Sequence, residues 1–304
     1  VDDDTTLQRL PEIRFDALRR RLWETPFFFD MASTYTYFWR EEESLVADDS
    51  SLAYDKVRGQ RLNIRPALSM PFNPFPWLEV LPEIGYRERL YETSSAGPGF
   101  EEEGLYDFSM RLGSSFSRVF QEGLGSYKKI RQSIDPEVFY SYVPGLSQDH
   151  LPYFDGLDRI QATNRVTYLL TNRFTARVEP QPGVVDHLEF LSLRVSQSYD
   201  IRQSRHELEN GDGRDPLSDI RGELVWSPTR SSFIDFDTRY DFHSRTLDSF
   251  NIRTGLRDPG GNSLSLDYRY TRENSEYISE PTDYEGEGTE YVGGGLNTAL
   301  LAPL

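Results

Sequence analysis

The chain has 304 residues, enough for one large domain, and its 33 basic and 50 acidic side chains leave a net charge of −17. That balance argues against a nucleic-acid binder, whose footprint is a basic patch. Cysteine is absent, which excludes a disulfide framework, a thiolate metal site and a cysteine nucleophile. Mean hydropathy is −0.62, and no stretch approaches the roughly 18 apolar residues of a membrane helix. Strands that cross a bilayer are a separate case, because their inward polar residues cancel their outward apolar ones. The opening Val1-Asp2-Asp3-Asp4 lacks the pattern of a secretory leader, so an exported protein would be represented here by a mature or internal piece.

Read in chain order, period-two alternation predicts about thirteen strands, over 10–22, 27–41, 60–72, 77–92, 106–120, 128–143, 162–179, 185–201, 219–228, 232–245, 249–257, 263–273 and 289–300. In the third, Leu62, Ile64, Leu68 and Met70 oppose Arg61, Asn63 and Arg65. Later, Ile234, Phe236, Tyr240 and Phe242 oppose Asp235, Asp237, Arg239 and Asp241, and Leu264, Leu266, Tyr268 and Tyr270 oppose Ser265, Asp267 and Arg269. Successive strand residues point to opposite faces, so each segment has one apolar and one polar side. Pro66, Pro82 and Pro136 fall inside predicted strands, where a missing ladder donor predicts a bulge, a bend or a strand end. Thr229-Arg230-Ser231 and Asp258-Pro259-Gly260-Gly261-Asn262 read as short turns, whereas Glu42–Gly59, Thr93–Leu105, Arg202–Ser218 and Asn274–Gly288 read as long acidic loops. Short turns on one side, long loops on the other and 18 Tyr with 19 Phe fit an antiparallel transmembrane β-barrel with aromatic girdles.

Chemistry is sparse. His150, His187, His206 and His243 lack metal-ligand spacing, Asn210–Asp215 lacks the alternating ligands of a calcium loop, and Gly293-Gly294-Gly295 precedes no helix. The acidic runs Glu41–Glu43 and Glu101–Glu103 read as solvated loops, with bridging of Mg²⁺ or Ca²⁺ as the sharper alternative. No catalytic constellation is present, so the expectation is a protein that is not an enzyme and needs no cofactor. Arginines carry more information. Arg165, Arg173 and Arg177 share one strand face, and Val166, Tyr168 and Leu170 share the other. Charge on a lipid face costs a few kcal/mol near the midplane, so the arginine side is the lumen of any barrel. Arg239 and Arg269 join that side, with Phe236, Tyr240, Leu266 and Tyr268 on the lipid side. Two roles fit these guanidinium groups: pairing with neighbouring carboxylates, or contact with a phosphorylated cargo.

Ordered motifs add to this reading. Pro136–Pro144 reads P-x-x-x-Y-x-Y-V-P, Gln148–Asp155 reads Q-x-x-x-P-x-F-D, and Asp158–Thr167 reads D-R-I-x-x-x-N-x-V-T. Arg9-Leu10-Pro11-Glu12-Ile13, the spacing Arg61-x₄-Pro66-x₄-Pro71, Gly222–Trp226 and Leu266–Tyr270 follow the same pattern in order. In these positions the chain resembles the barrel domain of the LptD family (also called OstA or Imp), lipopolysaccharide-assembly proteins of the Gram-negative outer membrane. The resemblance implies a barrel of about 26 strands, plugged by an LptE-like lipoprotein. It also implies a periplasmic jelly-roll domain that receives lipopolysaccharide from a bridge protein. The glycolipid leaves through a seam between the first and last strands, and the energy comes from an inner-membrane ATPase. Residues 1–304 are then a partial barrel domain, with the jelly-roll and the closing strands lying outside it. A general porin or plugged receptor barrel is the alternative that shares the alternation without the motifs.

Overall fold

The structure is a computed structural model that describes residues 7–45, 52–93, 99–205, 216–272 and 289–297. Among the described residues fifteen strands follow one another: β1 (Gln8–Arg21), β2 (Phe28–Leu45), β3 (Leu52–Ser69), β4 (Phe72–Phe75), β5 (Leu78–Thr93), β6 (Phe100–Gly113), β7 (Phe116–Phe120), β8 (Lys129–Val143), β9 (Thr163–Gln181), β10 (Val184–Asp200), β11 (Ile220–Thr229), β12 (Ser232–Asp241), β13 (Thr246–Arg257), β14 (Ser263–Thr271) and β15 (Thr289–Asn297). Helical structure among the described residues is confined to a 3-10 turn at Gly156–Asp158 and the four-residue α1 (Ile201–Ser204). No described helix is long and apolar enough to cross a membrane. The all-β, antiparallel class expected from the alternation is the class observed.

Two compact units divide the chain. The first comprises Val1–Pro74, Glu79–Arg111 and Tyr140–Asn164, and the second Phe75–Leu78, Leu112–Phe139 and Arg165–Leu304. The first unit orders its strands β1-β2-β3-β5-β6, with β4 beside β5. In the second, β7 lies beside β8 and the order runs β8-β9-β10-β11-β12-β13-β14-β15. Neighbours are successive in sequence, so each strand pairs with the one that a hairpin delivers to it.

The turns behave as read. Thr229 faces Ser232 across a two-residue turn, and the Asp258–Asn262 turn is closed by the Asp258 N–H on the Asn262 carbonyl at 2.9 Å. Gly261 takes a φ of +88° there, which a side chain would resist. Prolines divide into two kinds. Opposite Pro82 the partner strand breaks between β3 and β4, and opposite Pro136 it breaks between β6 and β7. At each break one N–H still reaches the proline carbonyl, Met70 to Pro82 at 3.2 Å and Ser114 to Pro136 at 3.1 Å. Pro66 departs from the expectation, since its ladder to β2 runs through the Met31–Pro66 pair without a shift of register.

Three expectations about loops are corrected. Glu41–Glu43 lie not in a loop but in β2, which pairs with β3 out to Leu45 and Leu52. Glu101–Glu103 lie in β6. The thirteen strands read from the alternation correspond to β1–β3, β5, β6 and β8–β15, with β4 and β7 as short additions beside β5 and β8 among the described residues. Of Arg202–Ser218, the first residues form α1, while His206 and the Asn210–Asp215 stretch, like Asn274–Gly288, lie outside the described residues.

Burial is inverted relative to a water-soluble sheet. In the first unit the strand residues sealed from solvent include Thr36, Phe38, Arg61, Asn63, Arg89 and Tyr91. Register places all six on one face, through the Phe38–Gly59, Thr36–Arg61, Arg61–Tyr91 and Asn63–Arg89 pairs. The apolar face is the open one, with Ile84, Tyr86 and Tyr106 exposed. A sheet that buries arginine and exposes isoleucine and tyrosine has its apolar side turned toward something other than water.

Candidate functional site

In the second unit the polar face is a continuous field of charge. Directly opposed residues share a face, so register carries it strand by strand. Arg173 faces Ser192 and Thr171 faces Arg194. Arg194 faces Glu223, and Ser192 faces Val225. The row continues through Glu223–Asp237, Arg221–Arg239 and Val225–Asp235, then Asp235–Arg253 and Asp237–Asn251. It ends at Arg253–Asp267 and Asn251–Arg269. The other face carries Leu224–Phe236, Phe236–Ile252 and Ile252–Tyr268 with Thr254–Leu266. Aromatic rings meet along it, Phe250 with Tyr268 at 5.4 Å and with Phe236 at 6.5 Å. Leu266 is 53% exposed and Val292 74% exposed.

The five arginines singled out from the sequence all sit on the charged face. Arg165 pairs with Asp200 at 3.8 Å, Arg177 with Glu179 at 3.6 Å, and Arg269 with Asp267 at 3.0 Å while lying over the Tyr291 ring. Arg173 binds Asp135, whose other oxygen takes the Ser115 hydroxyl. Arg239 stands opposite Arg221 and Ser249. Carboxylate pairing is therefore what the structure shows for Arg165, Arg173, Arg177 and Arg269. Val166, Tyr168 and Leu170 on β9, Phe236 and Tyr240 on β12, and Leu266 and Tyr268 on β14 alternate with the charged-face residues and lie on the opposite side of their strands. A recess of about 390 Å³ opens on the charged face, with Leu169 and Val225 beside Arg173, Arg194, Glu189 and Glu223.

The first unit holds a second feature. Its charged face is covered by the segment between β8 and β9, residues 144–162. Asp155 caps the Gly156–Asp158 turn, and Asp158 reaches back to complete a reciprocal capping box. The Asp158 carboxylate, fully buried, accepts from Arg61 Nη1 at 2.6 Å, Tyr91 Oη at 2.8 Å, and the N–H groups of Phe154 and Asp155 at 2.6 and 2.8 Å. Arg61 also forks onto Asp155, at 2.7 and 3.0 Å, and Arg9 approaches the same carboxylate at 3.3 Å. Burial works against the charge of Asp155, yet the Arg61 guanidinium and the Leu157 N–H outweigh it and hold the carboxyl below its ordinary range. Arg89 donates to the Leu157 carbonyl and to Gln148 Oε1, both at 2.9 Å. Phe154 stacks on Phe38, with centroids 4.4 Å apart and planes within 3°.

Arg61, Arg89, Asp155 and Asp158 were not marked as site residues by the sequence. Arg61 was legible as a polar-face residue, and both aspartates stood inside the quoted motifs. Their meeting was not legible, because the partners are 94 to 97 positions apart. Glu103 is also placed by this segment. It contacts His150 Nε2 at 3.2 Å from within β6, so the Glu101–Glu103 run is not the free loop expected. Among the described residues no group of three or more His, Cys, Asp or Glu is arranged to hold a metal.

Comparison with known proteins gives a consistent result. The family model for LptD, LPS transport system D, matches residues 1–300. An LPS-assembly protein LptD of Hahella chejuensis is 27% identical over 307 aligned residues, covering 91% of this chain and 35% of that protein. The proteins of the same name from Thiobacillus denitrificans and Nitrosospira multiformis are each 28% identical, covering 79% and 88% of this chain and 34% and 28% of theirs. The chain thus spans about a third of the length of these relatives.

Proposed function

The chain belongs to the LPS transport system D family, and on that premise we propose that it is part of the wall of an outer-membrane β-barrel that carries lipopolysaccharide to the outer leaflet. The observation that supports this best is the inverted burial: in the first unit Arg61, Asn63 and Arg89 are sealed on one strand face while Ile84, Tyr86 and Tyr106 stand open on the other. A wall between lipid and an aqueous passage needs that inversion, and a water-soluble sheet does not tolerate it. On this reading residues 1–304 are a partial barrel domain. Val166, Tyr168, Leu170, Phe236, Tyr240, Leu266 and Tyr268 meet lipid. Arg165, Arg173, Arg177, Arg239 and Arg269 face the passage, where a plug lipoprotein and the glycolipid phosphates are their partners. A periplasmic bridge protein supplies the lipopolysaccharide to a domain outside these residues. The role is transport, with no bond made or broken.

Photo-crosslinking in the full-length protein tests this. A probe at Arg173 captures lipopolysaccharide during active transport, and a probe at Tyr168 captures lipid whether or not transport is running. Capture at Tyr168 alone is the behaviour of a barrel that merely sits in the outer leaflet, and it would defeat the transport reading.

A further inference from the structure

We propose that the segment between β8 and β9 is a fixed seal, which keeps the charged face of the first unit closed to ions and small polar solutes and does not move during transport. The inference rests on the barrel reading above and adds a function to one part of it. Three features of the segment carry it.

The first is where burial falls. Thr36, Phe38, Arg61, Asn63, Arg89 and Tyr91 are nearly or wholly inaccessible although they line the polar side of their strands, so the segment excludes water from the side that would otherwise be wet. The second is that the segment is closed on itself as well as onto the strands. Gln148 donates to the Ile160 carbonyl at 2.8 Å and accepts the Ile160 N–H at 3.0 Å, bracing the two ends against each other. Arg159 Nη2 ties to the Leu151 carbonyl at 2.9 Å. Opening would have to break at once the Arg61 and Tyr91 bonds to the Asp158 carboxylate, the Arg61 fork onto Asp155 and both Arg89 bonds to the segment, a set that holds the segment down as one unit. The third is that the strand surface is shaped to receive it. At Gly59 an added Cβ would stand 2.4 Å from Phe154 Cζ and 3.3 Å from the Glu92 carbonyl oxygen. Glycine is therefore required opposite Phe38 for the Phe154 ring to lie flat between strand and solvent. Its φ is not in the left-handed region, so the requirement is one of space and not of backbone conformation.

The test uses the full-length protein with its partner, reconstituted in planar bilayers and in proteoliposomes. Gly59→Ala displaces Phe154 without leaving a charge unpaired. The folded variant, identified by retained heat-modifiable mobility, is expected to show a several-fold rise in ion conductance with lipopolysaccharide delivery kept. Unchanged conductance in the folded variant overturns the seal. A second variant, Phe38→Cys with Phe154→Cys, bridged by a short bifunctional thiol reagent, locks the segment down. Delivery that continues after bridging supports a fixed seal, and delivery that stops on bridging and returns on cleavage of the bridge overturns it in favour of a gate. Where Gly59→Ala does not fold, the bridged variant decides alone. Capture of lipopolysaccharide at Arg173 is read in the unmodified protein alongside. Its loss strikes the transport reading, whereas failure of the conductance or bridging result strikes the seal only.

Discussion

Arg61 and Asp158, 97 positions apart in sequence, meet at 2.6 Å with almost no exposure of either side chain. Removing one member of such a pair leaves a buried charge uncompensated, at a cost of about 3–5 kcal/mol. Arg61→Leu is expected to fall in that range, since it strands the Asp158 and Asp155 carboxylates together. The double replacement Arg61→Leu/Asp158→Leu is expected to cost less than Arg61→Leu alone, because the fully buried carboxylate goes with its partner and Asp155 keeps Arg9. Denaturant titration of the full-length protein in detergent, followed by the heat-modifiable gel shift, gives both values. A double variant that is less stable than the single one would count against charge as the cause.

Asp155 gives the segment an acid limit. Its carboxyl is held below the ordinary value of 3.8, against burial, by Arg61 and the Leu157 N–H. A carboxyl depressed in the folded state contributes stability that is fully present above the unfolded value and is lost as pH falls through the folded one. Protection of the Leu157 amide against hydrogen exchange is therefore expected to hold from neutral pH down to about pH 4 and to decline below it. Asp155→Asn should remove that decline and lower the protection at every pH. An acid dependence that survives in Asp155→Asn would assign the effect to another group.

How much of this was legible beforehand differs by feature. The alternation of Leu264–Tyr270 and of Ile234–Phe242 predicted both the strands and their faces, because burial of one face imposes a strict period of two. The same rule failed at Glu41–Glu43. Three consecutive acidic residues read as loop, yet they continue β2 against β3, since a ladder is a backbone property that charged side chains do not forbid. Pro66 failed for a related reason, because it keeps its register with β2 without a bulge. The Arg61–Asp158 contact had no local signal whatever. Only the motif around Phe154, Asp155 and Asp158 marked the place, and it did not mark the partner.

Adjacent positions on β9 offer a test of sidedness. Leu170 is 46% exposed on the apolar face, and Thr171 lies on the charged face opposite Arg194. Leu170→Arg is expected to cost about 2–4 kcal/mol of folding stability in a bilayer, the range for arginine near the midplane on the lipid side of a barrel. Thr171→Arg is expected to cost far less. Folding yields of the two variants into lipid vesicles check this, and equal yields would contradict the assignment of faces.

The Arg173–Asp135 pair is expected to contribute little stability by itself. Arg173 is 45% exposed in its side chain and Asp135 12%, so the pair is half-buried and its coupling is expected at the upper end of the range of about 0.2–1 kcal/mol for exposed pairs. A double-mutant cycle of Arg173→Ala and Asp135→Ala measures the coupling. A value well above that range would mean that the charged face is dry at this point and that the passage does not reach it.

The central claim is that the two faces of these strands meet different solvents, and spin-label accessibility measures this most directly. Nitroxide labels are placed singly at Leu170 and Leu266 on one face, and at Thr171 and Asp267 on the other, in the full-length protein in lipid bilayers. The account predicts that labels at 170 and 266 are relaxed by oxygen, which concentrates in lipid, and that labels at 171 and 267 are relaxed by a water-soluble nickel chelate. Equal nickel accessibility at all four positions, or the reverse pattern, would contradict it.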